Sequence, residues 1–380
     1  MINKFDIPYQ MCTRCVMDTT APDITFDSDG QCSYCSDFLR RSSHIIHEDP
    51  EQKKYRLESF VKKVKQAGKG QSYDCIVGVS GGVDSSWVLV KTIELGLRPL
   101  AVHMDNGWNS ELAQNNIANL VRELDVDLYT HVIDWEEYRA LMQAFFDADV
   151  IDIELLYDNA MLAVNFQQAA KFGLHYMLSG SNTTSEGMIM PRDWHAFKFD
   201  KKNIHSIAKK FGTTKIATFP SIGSLDRVYY EMFKRVRWVS FLDLFDYNKA
   251  EVMKVLEKNY SYKPYPYKHY ESIFTRFYQG FILPKKFGVD KRRVHFSTLI
   301  ISNQIARETA LKDLESEPYK NKDDLNADME YFKKKMKWSE EKLGTYLSRP
   351  RKEHDIYGSE EPLYTALKRI YSLIMPSRVK

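Results

Sequence analysis

The 380-residue sequence predicts an α/β fold, a doubly wound parallel sheet with a cysteine-rich N-terminal lobe and a helical C-terminal region. Between residues 73 and 179, short apolar runs alternate with helical segments, an order that gives a parallel sheet with helices on both faces. Four of the five cysteines lie within the first 35 residues, and from residue 249 onward the spacing is helical. We expect a cysteine lobe at 1–45, a helical linker at 46–71, the α/β domain at 72–248 and a mostly helical domain at 249–380.

The elements of the sheet follow from apolar runs and the residues that end them. Residues 73–79 form a short continuous apolar run, typical of a buried parallel strand. Gly96 and Gly173 each follow a helical pattern and are expected to end it. The further predicted strands are 98–104, 127–133 and 175–179, with one more candidate within 236–245, and the predicted helices are 85–95, 110–124, 135–148 and 159–172.

Charge and hydropathy exclude two broad classes of protein. Lys plus Arg number 54 and Asp plus Glu number 51, a net charge of +3 that argues against general nucleic-acid binding. The mean hydropathy is −0.45, and no apolar stretch approaches the length of a membrane span. Because the first ten residues lack the apolar core of a signal peptide, we expect a cytoplasmic protein with reduced cysteines.

The N-terminal cysteines are arranged as two metal-ligand pairs, Cys12 with Cys15 and Cys32 with Cys35. Two CxxC turns separated by 16 residues supply the four thiolates that a tetrahedral zinc needs. The intervening turn-forming residues suggest two short strands, as in a zinc ribbon. Four unrelated thiols or an iron–sulfur cluster are weaker alternatives, and a site that uses all four ligands is expected to be structural.

A glycine-rich segment, Ser80 to Ser86 (SGGVDSS), follows the first predicted strand and opens the next helix. Small residues let backbone N–H groups approach a phosphate, and the helix N-terminus adds partial positive charge. The segment lacks the Lys-Ser/Thr of a Walker A motif. A plain strand–helix turn is the alternative, and two glycines with flanking serines and an aspartate make it the minority interpretation.

This segment resembles the PP-loop of the ATP pyrophosphatases, which holds the pyrophosphate of ATP while AMP is transferred. Residues 180–186 (GSNTTSE) resemble a NAD synthetase segment whose glutamate binds magnesium. The resemblance implies that Asp84 and Glu186 share Mg²⁺ with ATP, although Glu186 alone could equally be a solvated loop acid. It implies as catalytic residues Ser80, Asp84, Ser85 and Glu186, and as ATP-binding residues Val79, Ser80, Gly81, Gly82, Val83, Asp84, Ser85, Ser86, Gly180 and Ser181.

The end of the second predicted strand supplies two further nucleotide candidates. Met104 and Asp105 close this strand, and open α/β sheets bind ligands at such carboxyl ends. In PP-loop enzymes this strand end lies against the adenine. The alternative is that Asp105 only caps a turn.

From about Cys12 to Ala310 the chain resembles a narrower family, the N-acetyl sugar amidotransferases (WbpG/PseA-like), and the final 70 residues carry no match to it. The resemblance depends on the cysteine block, SGGVDSS and residues 268–300 (KHYESIFTRFYQGFILPKKFGVDKRRVHFSTLI). It implies ATP-dependent conversion of an acetamido group on a UDP-linked N-acetyl sugar into an acetamidino group, in bacterial surface-polysaccharide or flagellin-sugar pathways. It also implies separate partners, a glutaminase like that of histidine biosynthesis and a cyclase-like subunit that passes ammonia.

Two segments are candidates for substrate binding. The 268–300 block mixes aromatic and basic residues, which suit a base and phosphates, but a solvated basic face or a docking surface for the ammonia donor is nearly as plausible. Residues 192–200 follow Glu186 and are expected to form a loop over the active site. The substrate candidates are Asn182, Trp194, His195, Lys198, Arg276, Lys291 and Arg293.

Two other functions compete with this interpretation. A tRNA-thiolating PP-loop enzyme usually needs cysteines near its ATP site, and only Cys75, which we expect to be buried in the first strand, remains outside the zinc set. A degenerate nucleotide-binding scaffold is the second alternative, and the intact SGGVDSS argues against it.

Overall fold

A computed structural model describes residues 8–265, 271–319 and 321–374. Its centre is a five-stranded parallel sheet with the strand order β3-β2-β1-β4-β5, which confirms the predicted fold class. The fifth strand is shorter than the candidate segment 236–245, because the chain turns into a 3₁₀ helix at Phe241. The strands are β1 (Cys75–Gly78), β2 (Pro99–Asp105), β3 (Leu128–Val132), β4 (Tyr176–Ser179) and β5 (Arg237–Ser240).

Helices precede, connect and follow these strands. Those up to β5 are α1 (Ser33–Ile46), α2 (Pro50–Ala67), α3 (Val83–Glu94), α4 (Glu111–Leu124), α5 (Trp135–Asp147), α6 (Leu155–Lys171), α7 (Thr183–Glu186), α8 (Lys201–Phe211) and α9 (Ser224–Val228). The C-terminal helices are α10 (Lys249–Asn259), α11 (Ile273–Phe277), α12 (Arg292–Ile301), α13 (Arg307–Glu315), α14 (Lys322–Met336), α15 (Glu340–Ser348) and α16 (Glu361–Ile374). The π-helical segments are Tyr229–Phe233 and Tyr278–Phe287. Short 3₁₀ helices are formed by Arg192–Trp194, Phe241–Leu244 and His354–Tyr357.

Strand side chains alternate between two hydrophobic cores, one on each face of the sheet, because successive residues of a strand point in opposite directions. In β2, Leu100 and Val102 belong to the core that contains α5 and α6. Ala101 belongs to the core that contains α3 and α4. The middle of the sheet is therefore covered on both sides, as in a doubly wound fold, whereas the edge strand β3 has one exposed face.

The strand order places the topological switch point between β1 and β4. The chain leaves β1 toward β2 on one side, and after β3 it returns to β4 on the other side of β1. The segments that follow β1 and β4 consequently meet at the carboxyl edge of the sheet, where open α/β sheets bind ligands.

The N-terminal lobe differs in detail from the expected ribbon. In its described part, from residue 8 onward, two isolated antiparallel bridges, Met11–Asp18 and Phe26–Cys32, take the place of two short strands. Cys35 lies in the first turn of α1, a helix that the mixed polar sequence did not reveal. The expected linker helix is present as α2, where the Asp49 side chain accepts hydrogen bonds from two N–H groups of the first turn.

The C-terminal helices share a core with the α/β part of the chain. Phe146 of α5 contacts Phe332 of α14 and Tyr346 of α15, with ring centroids 5.6 Å and 5.0 Å apart. The four N-terminal cysteines belong to the same core. The domain boundaries that we expect from the sequence stay a prediction. Among the described residues, no helix has both the length and the apolar character of a membrane span.

Candidate functional site

A cavity of about 530 Å³ opens at the carboxyl edge of the sheet. It is lined by the segments after β1 and β4 and, from the C-terminal region, by Lys249, Met253, Tyr265, Glu271 and His295. Of the predicted nucleotide and metal residues, it is lined by Val79, Ser80, Gly82, Val83, Asp84, Ser85, Met104, Gly180, Ser181 and Glu186.

Four other predicted residues lie beside this cavity without lining it. Gly81 packs against α4, and Ser86 is buried in the first turn of α3. The Asp105 carboxylate accepts hydrogen bonds from the Gly107 N–H at 2.8 Å and from the Asn109 amide at 3.2 Å, so its side chain caps a turn. Asn182 is buried and accepts a hydrogen bond from the Ser185 N–H, which caps α7.

The glycine-rich loop depends on close backbone approach. Gly81 has φ +81°, and a Cβ atom there would lie 2.7 Å from the Ala113 carbonyl oxygen. A Cβ on Gly180 would lie 2.9 Å from the backbone of Asp84 and Ser85. Glycine at position 81 therefore lets the loop approach α4, and glycine at position 180 lets the segment after β4 approach the segment after β1.

Asp84 is held by two residues that the sequence analysis did not single out. Its carboxylate accepts a short hydrogen bond from the Tyr247 hydroxyl and forms an ion pair with Lys249 Nζ at 2.9 Å. Burial lowers the pKa of Lys249, but the Asp84, Glu186 and Glu271 carboxylates outweigh burial and raise it above its ordinary value. Burial, with the charge of Asp84, raises the pKa of Tyr247. Lys249 is thus a cation in the cavity at neutral pH.

Glu186 lies on α7, a four-residue helix. Its first residue is hydrogen-bonded to Asp243, which lies in the 3₁₀ helix that follows β5. The backbone N–H and the hydroxyl of Thr183 donate to the two carboxylate oxygens of Asp243, at 2.6 Å and 2.9 Å. Asp84 and Glu186 both line the first cavity. Two carboxylates in a water-accessible cavity are a suitable donor set for Mg²⁺, which takes few protein ligands and keeps several waters.

A second cavity, of about 650 Å³, adjoins the first and shares Glu186 and His295 with it. Two of the predicted substrate residues, Arg276 and Lys291, line this second cavity. Arg276 donates to both carboxylate oxygens of Asp328, and Lys291 Nζ lies 3.0 Å from Glu154. Both basic candidates that line this cavity are therefore already paired with acids, and residues 268–270 of the block lie outside the described residues.

The remaining substrate candidates line neither cavity. Arg293 points to the cysteine lobe, where it pairs with Asp18 at 2.9 Å. Trp194 is buried, and His195 Nδ1 lies 3.2 Å from the Pro191 carbonyl. Lys198 Nζ pairs with Asp152 at 2.6 Å and with Asp158 at 2.8 Å. Lys198 therefore supplies a counter-charge to the buried Asp152 and the partly exposed Asp158.

The four N-terminal cysteines form a compact buried cluster. All four sulfur atoms lie within 4.8 Å of one another, and the Cys12–Cys35 and Cys15–Cys32 separations are both 3.7 Å. Ligands about 2.3 Å from a tetrahedral zinc are about 3.8 Å apart, so the cluster has the dimensions of a Cys₄ zinc site. Backbone N–H groups of Cys15 and Cys32 also donate to the Cys12 sulfur, at 3.4 Å and 3.2 Å.

The cysteine cluster is tied to the helices that carry the cavity residues. The Arg307 guanidinium donates to the carbonyl oxygens of Cys15 and Cys12, at 3.0 Å and 2.9 Å. The Val16 N–H donates to Ser297 on α12, the helix that carries His295. The fifth cysteine, Cys75, is fully buried in β1, and burial raises the pKa of its thiol.

Comparison with known proteins gives one family match. Residues 271–371 match the model for the "LPS biosynthesis protein WbpG-like, C-terminal domain". No curated protein matches the chain.

Similar solved structures include an NMN synthetase from Francisella tularensis (12% identity, 57% of this chain and 98% of that chain, TM-score 0.30). They also include an NH₃-dependent NAD synthetase from Campylobacter jejuni (15% identity, 55% and 84%, TM-score 0.29). A predicted subunit of a tRNA methyltransferase from Methanocaldococcus jannaschii is a third (13% identity, 48% and 87%, TM-score 0.25). The family match agrees with the resemblance inferred from the sequence, and it covers residues 271–371.

Proposed function

We propose that the protein is an ATP-dependent, AMP-forming carbon–nitrogen ligase of the N-acetyl sugar amidotransferase type. It converts an acetamido group on a UDP-linked N-acetyl sugar into an acetamidino group, in the cytoplasm, for a bacterial surface polysaccharide or flagellin glycan. The match of residues 271–371 to a WbpG-like domain supports this substrate class.

One observation carries the proposal: two cavities meet at Glu186 and His295. The first contains the SGGVDSS loop at the switch point of a parallel sheet, and we assign ATP to it. The second is lined by residues of the WbpG-like domain, and we assign the nucleotide sugar to it. A reaction that joins two substrates requires such a shared boundary, where the reacting atoms can be held in contact.

In the first half-reaction the acetamido oxygen attacks the α-phosphorus of ATP. The bond from the α-phosphorus to the bridging oxygen of the β-phosphate breaks, and pyrophosphate leaves. Backbone N–H groups of the loop, the N-terminus of α3 and the Lys249 cation hold the charge of the departing pyrophosphate. Asp84 and Glu186 would hold Mg²⁺, which neutralises phosphate charge when bound.

In the second half-reaction ammonia attacks the carbon of the adenylated imidate. The carbon–oxygen bond to AMP breaks, and one proton is lost as the amidinium forms. The chain's residues act by orienting the two substrates and excluding water, since no side-chain nucleophile is required.

Ammonia is supplied from elsewhere in this proposal. A glutaminase needs an activated nucleophile, and neither cavity is lined by a cysteine. We therefore propose a separate glutaminase and a cyclase-like, ammonia-channelling subunit as partners. The same absence of a cavity thiol gives no support to tRNA thiolation. We assign structural zinc to the cysteine lobe, with the domain boundaries as predicted.

A pyrophosphate-release assay tests the proposal. The purified protein is incubated with ATP, Mg²⁺ and UDP-linked N-acetyl sugars, with and without ammonium. Release that requires the sugar and ends in an amidino product with ammonium is the expected result. Release that requires tRNA would favour thiolation, and no release under any condition would favour a non-catalytic scaffold.

A further inference from the structure

The carbonyl oxygen of Gly81, at the centre of the SGGVDSS loop, accepts hydrogen bonds from two tyrosine hydroxyls. The Tyr262 hydroxyl donates to it at 3.1 Å and the Tyr265 hydroxyl at 2.7 Å. Both tyrosines follow α10, more than 180 residues beyond the loop in the sequence. One backbone carbonyl is thus held twice by a distant part of the chain.

The segment that carries the two tyrosines is itself anchored. Between them, the Lys263 N–H donates to the side-chain oxygen of Asn116, and the Asn116 amide donates to the Lys263 carbonyl, both at 2.9 Å. Asn116 is buried on α4, the same helix whose Ala113 touches Gly81. Tyr262 is also buried. The hydroxyls are therefore fixed relative to the loop.

Fixing this carbonyl fixes the direction of an N–H group. In a planar trans peptide the C=O of one residue and the N–H of the next point in opposite directions. When the Gly81 carbonyl faces the tyrosines, the Gly82 N–H faces the side of Ser80, with which it makes a 3.3 Å hydrogen bond. Ser80 and Gly82 line the first cavity, whereas Gly81 does not.

The loop cannot enforce this orientation by itself. Two consecutive glycines rotate their shared peptide at little steric cost. A rotated peptide would turn a carbonyl oxygen, instead of an N–H, toward a bound phosphate, and the two oxygens would repel each other. Two hydroxyl donors on the carbonyl favour the orientation that attracts an anion.

We propose that Tyr262 and Tyr265 are positioning residues that hold the Gly81–Gly82 peptide with its N–H toward the pyrophosphate of ATP. This inference rests on the proposed function of the loop. It predicts an effect on the pyrophosphate portion of the nucleotide and none on the adenosine portion, because each hydroxyl donates its one proton to the Gly81 carbonyl. The Tyr265 ring also lines the first cavity, and the phenylalanine variant keeps that ring.

The test compares Tyr262→Phe, Tyr265→Phe and the double variant with wild type. Phenylalanine keeps the ring and removes only the hydroxyl. Tyr260→Phe is the matched control, because Tyr260 lies on the same segment and is half-buried like Tyr265, whereas the hydroxyls that donate to the Gly81 carbonyl are those of Tyr262 and Tyr265. Titration calorimetry measures binding of inorganic pyrophosphate, ATP and AMP, and thermal melting without ligand monitors the fold.

We expect each single variant to weaken pyrophosphate and ATP binding about three- to tenfold, as loss of one hydrogen bond does. The double variant should lose more than either, and AMP binding and the Tyr260→Phe control should match wild type. If Tyr262→Phe does not fold, the test rests on Tyr265→Phe. The Tyr265 side chain is only partly buried, so we expect that variant to fold.

Unchanged pyrophosphate affinity in folded variants would overturn the inference and leave the proposed function standing. Equal losses for AMP, ATP and pyrophosphate would also overturn it, since they indicate a general structural role. A wild-type protein that binds neither ATP nor pyrophosphate would overturn the inference and the proposed function together.

Discussion

Replacing Lys249 by methionine tests the electrostatics of the first cavity. Lys249 Nζ lies 2.9 Å from an Asp84 oxygen, and the two side chains are 36% and 21% exposed. Exposed ion pairs contribute about 0–1 kcal/mol, and breaking a buried pair costs about 3–5 kcal/mol. For this half-buried pair we expect Lys249→Met to lower the free energy of unfolding by about 1–2 kcal/mol.

The same substitution should have a larger effect on ATP. Lys249 is the cation that faces Asp84, Glu186 and Glu271, whose charges raise its pKa against the effect of burial. Without the positive charge of Lys249, these carboxylates would repel the ATP phosphates more strongly. A charge-assisted hydrogen bond contributes about 1.5–3 kcal/mol, so kcat/KM for ATP should fall about 10- to 150-fold.

The assay measures pyrophosphate release against ATP concentration, together with urea unfolding. Lys254→Met is the matched control, because Lys254 lies on the same helix and is exposed. The double variant Asp84→Asn/Lys249→Met should lose less stability than the two single losses added together. If Lys249→Met retained the wild-type kcat/KM for ATP, the assignment of ATP phosphates to this cavity would be refuted.

Three further predictions concern other parts of the molecule. Asp84→Asn should abolish pyrophosphate release while the thermal melt shows a folded protein, and a wild-type rate would contradict the magnesium role. Elemental analysis should find one zinc per chain, and a chelator or Cys12→Ser should destabilise the cysteine lobe; a zinc-free preparation with an unchanged melt would contradict this. Burial lowers the pKa of His354 to about 4 in the folded protein. Because the unfolded chain binds this proton more tightly, the free energy of unfolding should fall as the pH drops from about 6.5 toward 4. The fall should be at most about 1.4 kcal/mol per pH unit. Urea unfolding between pH 7 and 5 should show a smaller loss for His354→Gln than for wild type, and identical slopes would contradict this assignment.

The fold was predictable where the chemistry is local. The apolar runs of β1, β2 and β4 are short and bounded by turn residues, so the parallel sheet could be inferred from their alternation with helices. The spacing of two CxxC pairs predicted a cluster that the structure forms within 4.8 Å. The glycine-rich loop was identifiable because close backbone approach requires glycine at Gly81.

Contacts between distant segments were not predictable. Tyr247 and Lys249 reach Asp84 from more than 160 residues away, and no spacing rule links them to the loop. Residues 192–200 follow Glu186 and so suggested a loop over the site. Lys198 instead neutralises the buried Asp152, a requirement visible only once the tertiary fold brings them together.

Basic residues close in sequence proved to face different surroundings. Lys291 lines the second cavity, whereas Arg293 pairs with Asp18 in the cysteine lobe. Residues two apart on a helix differ in direction by about 200°, so one block of bases serves two surfaces. The composition identifies such a block of basic residues, but only the orientation of α12 shows which surface each basic side chain faces.

The most direct test of the account follows the acetamido oxygen through the reaction. A UDP-linked N-acetyl sugar labelled with oxygen-18 in that acetamido group is turned over with ATP and ammonium, and the nucleotide and phosphate products are analysed by mass spectrometry. The account predicts that AMP carries the heavy oxygen. Unlabelled AMP, with the heavy oxygen in inorganic phosphate or retained in the sugar, would contradict adenylation at the SGGVDSS loop.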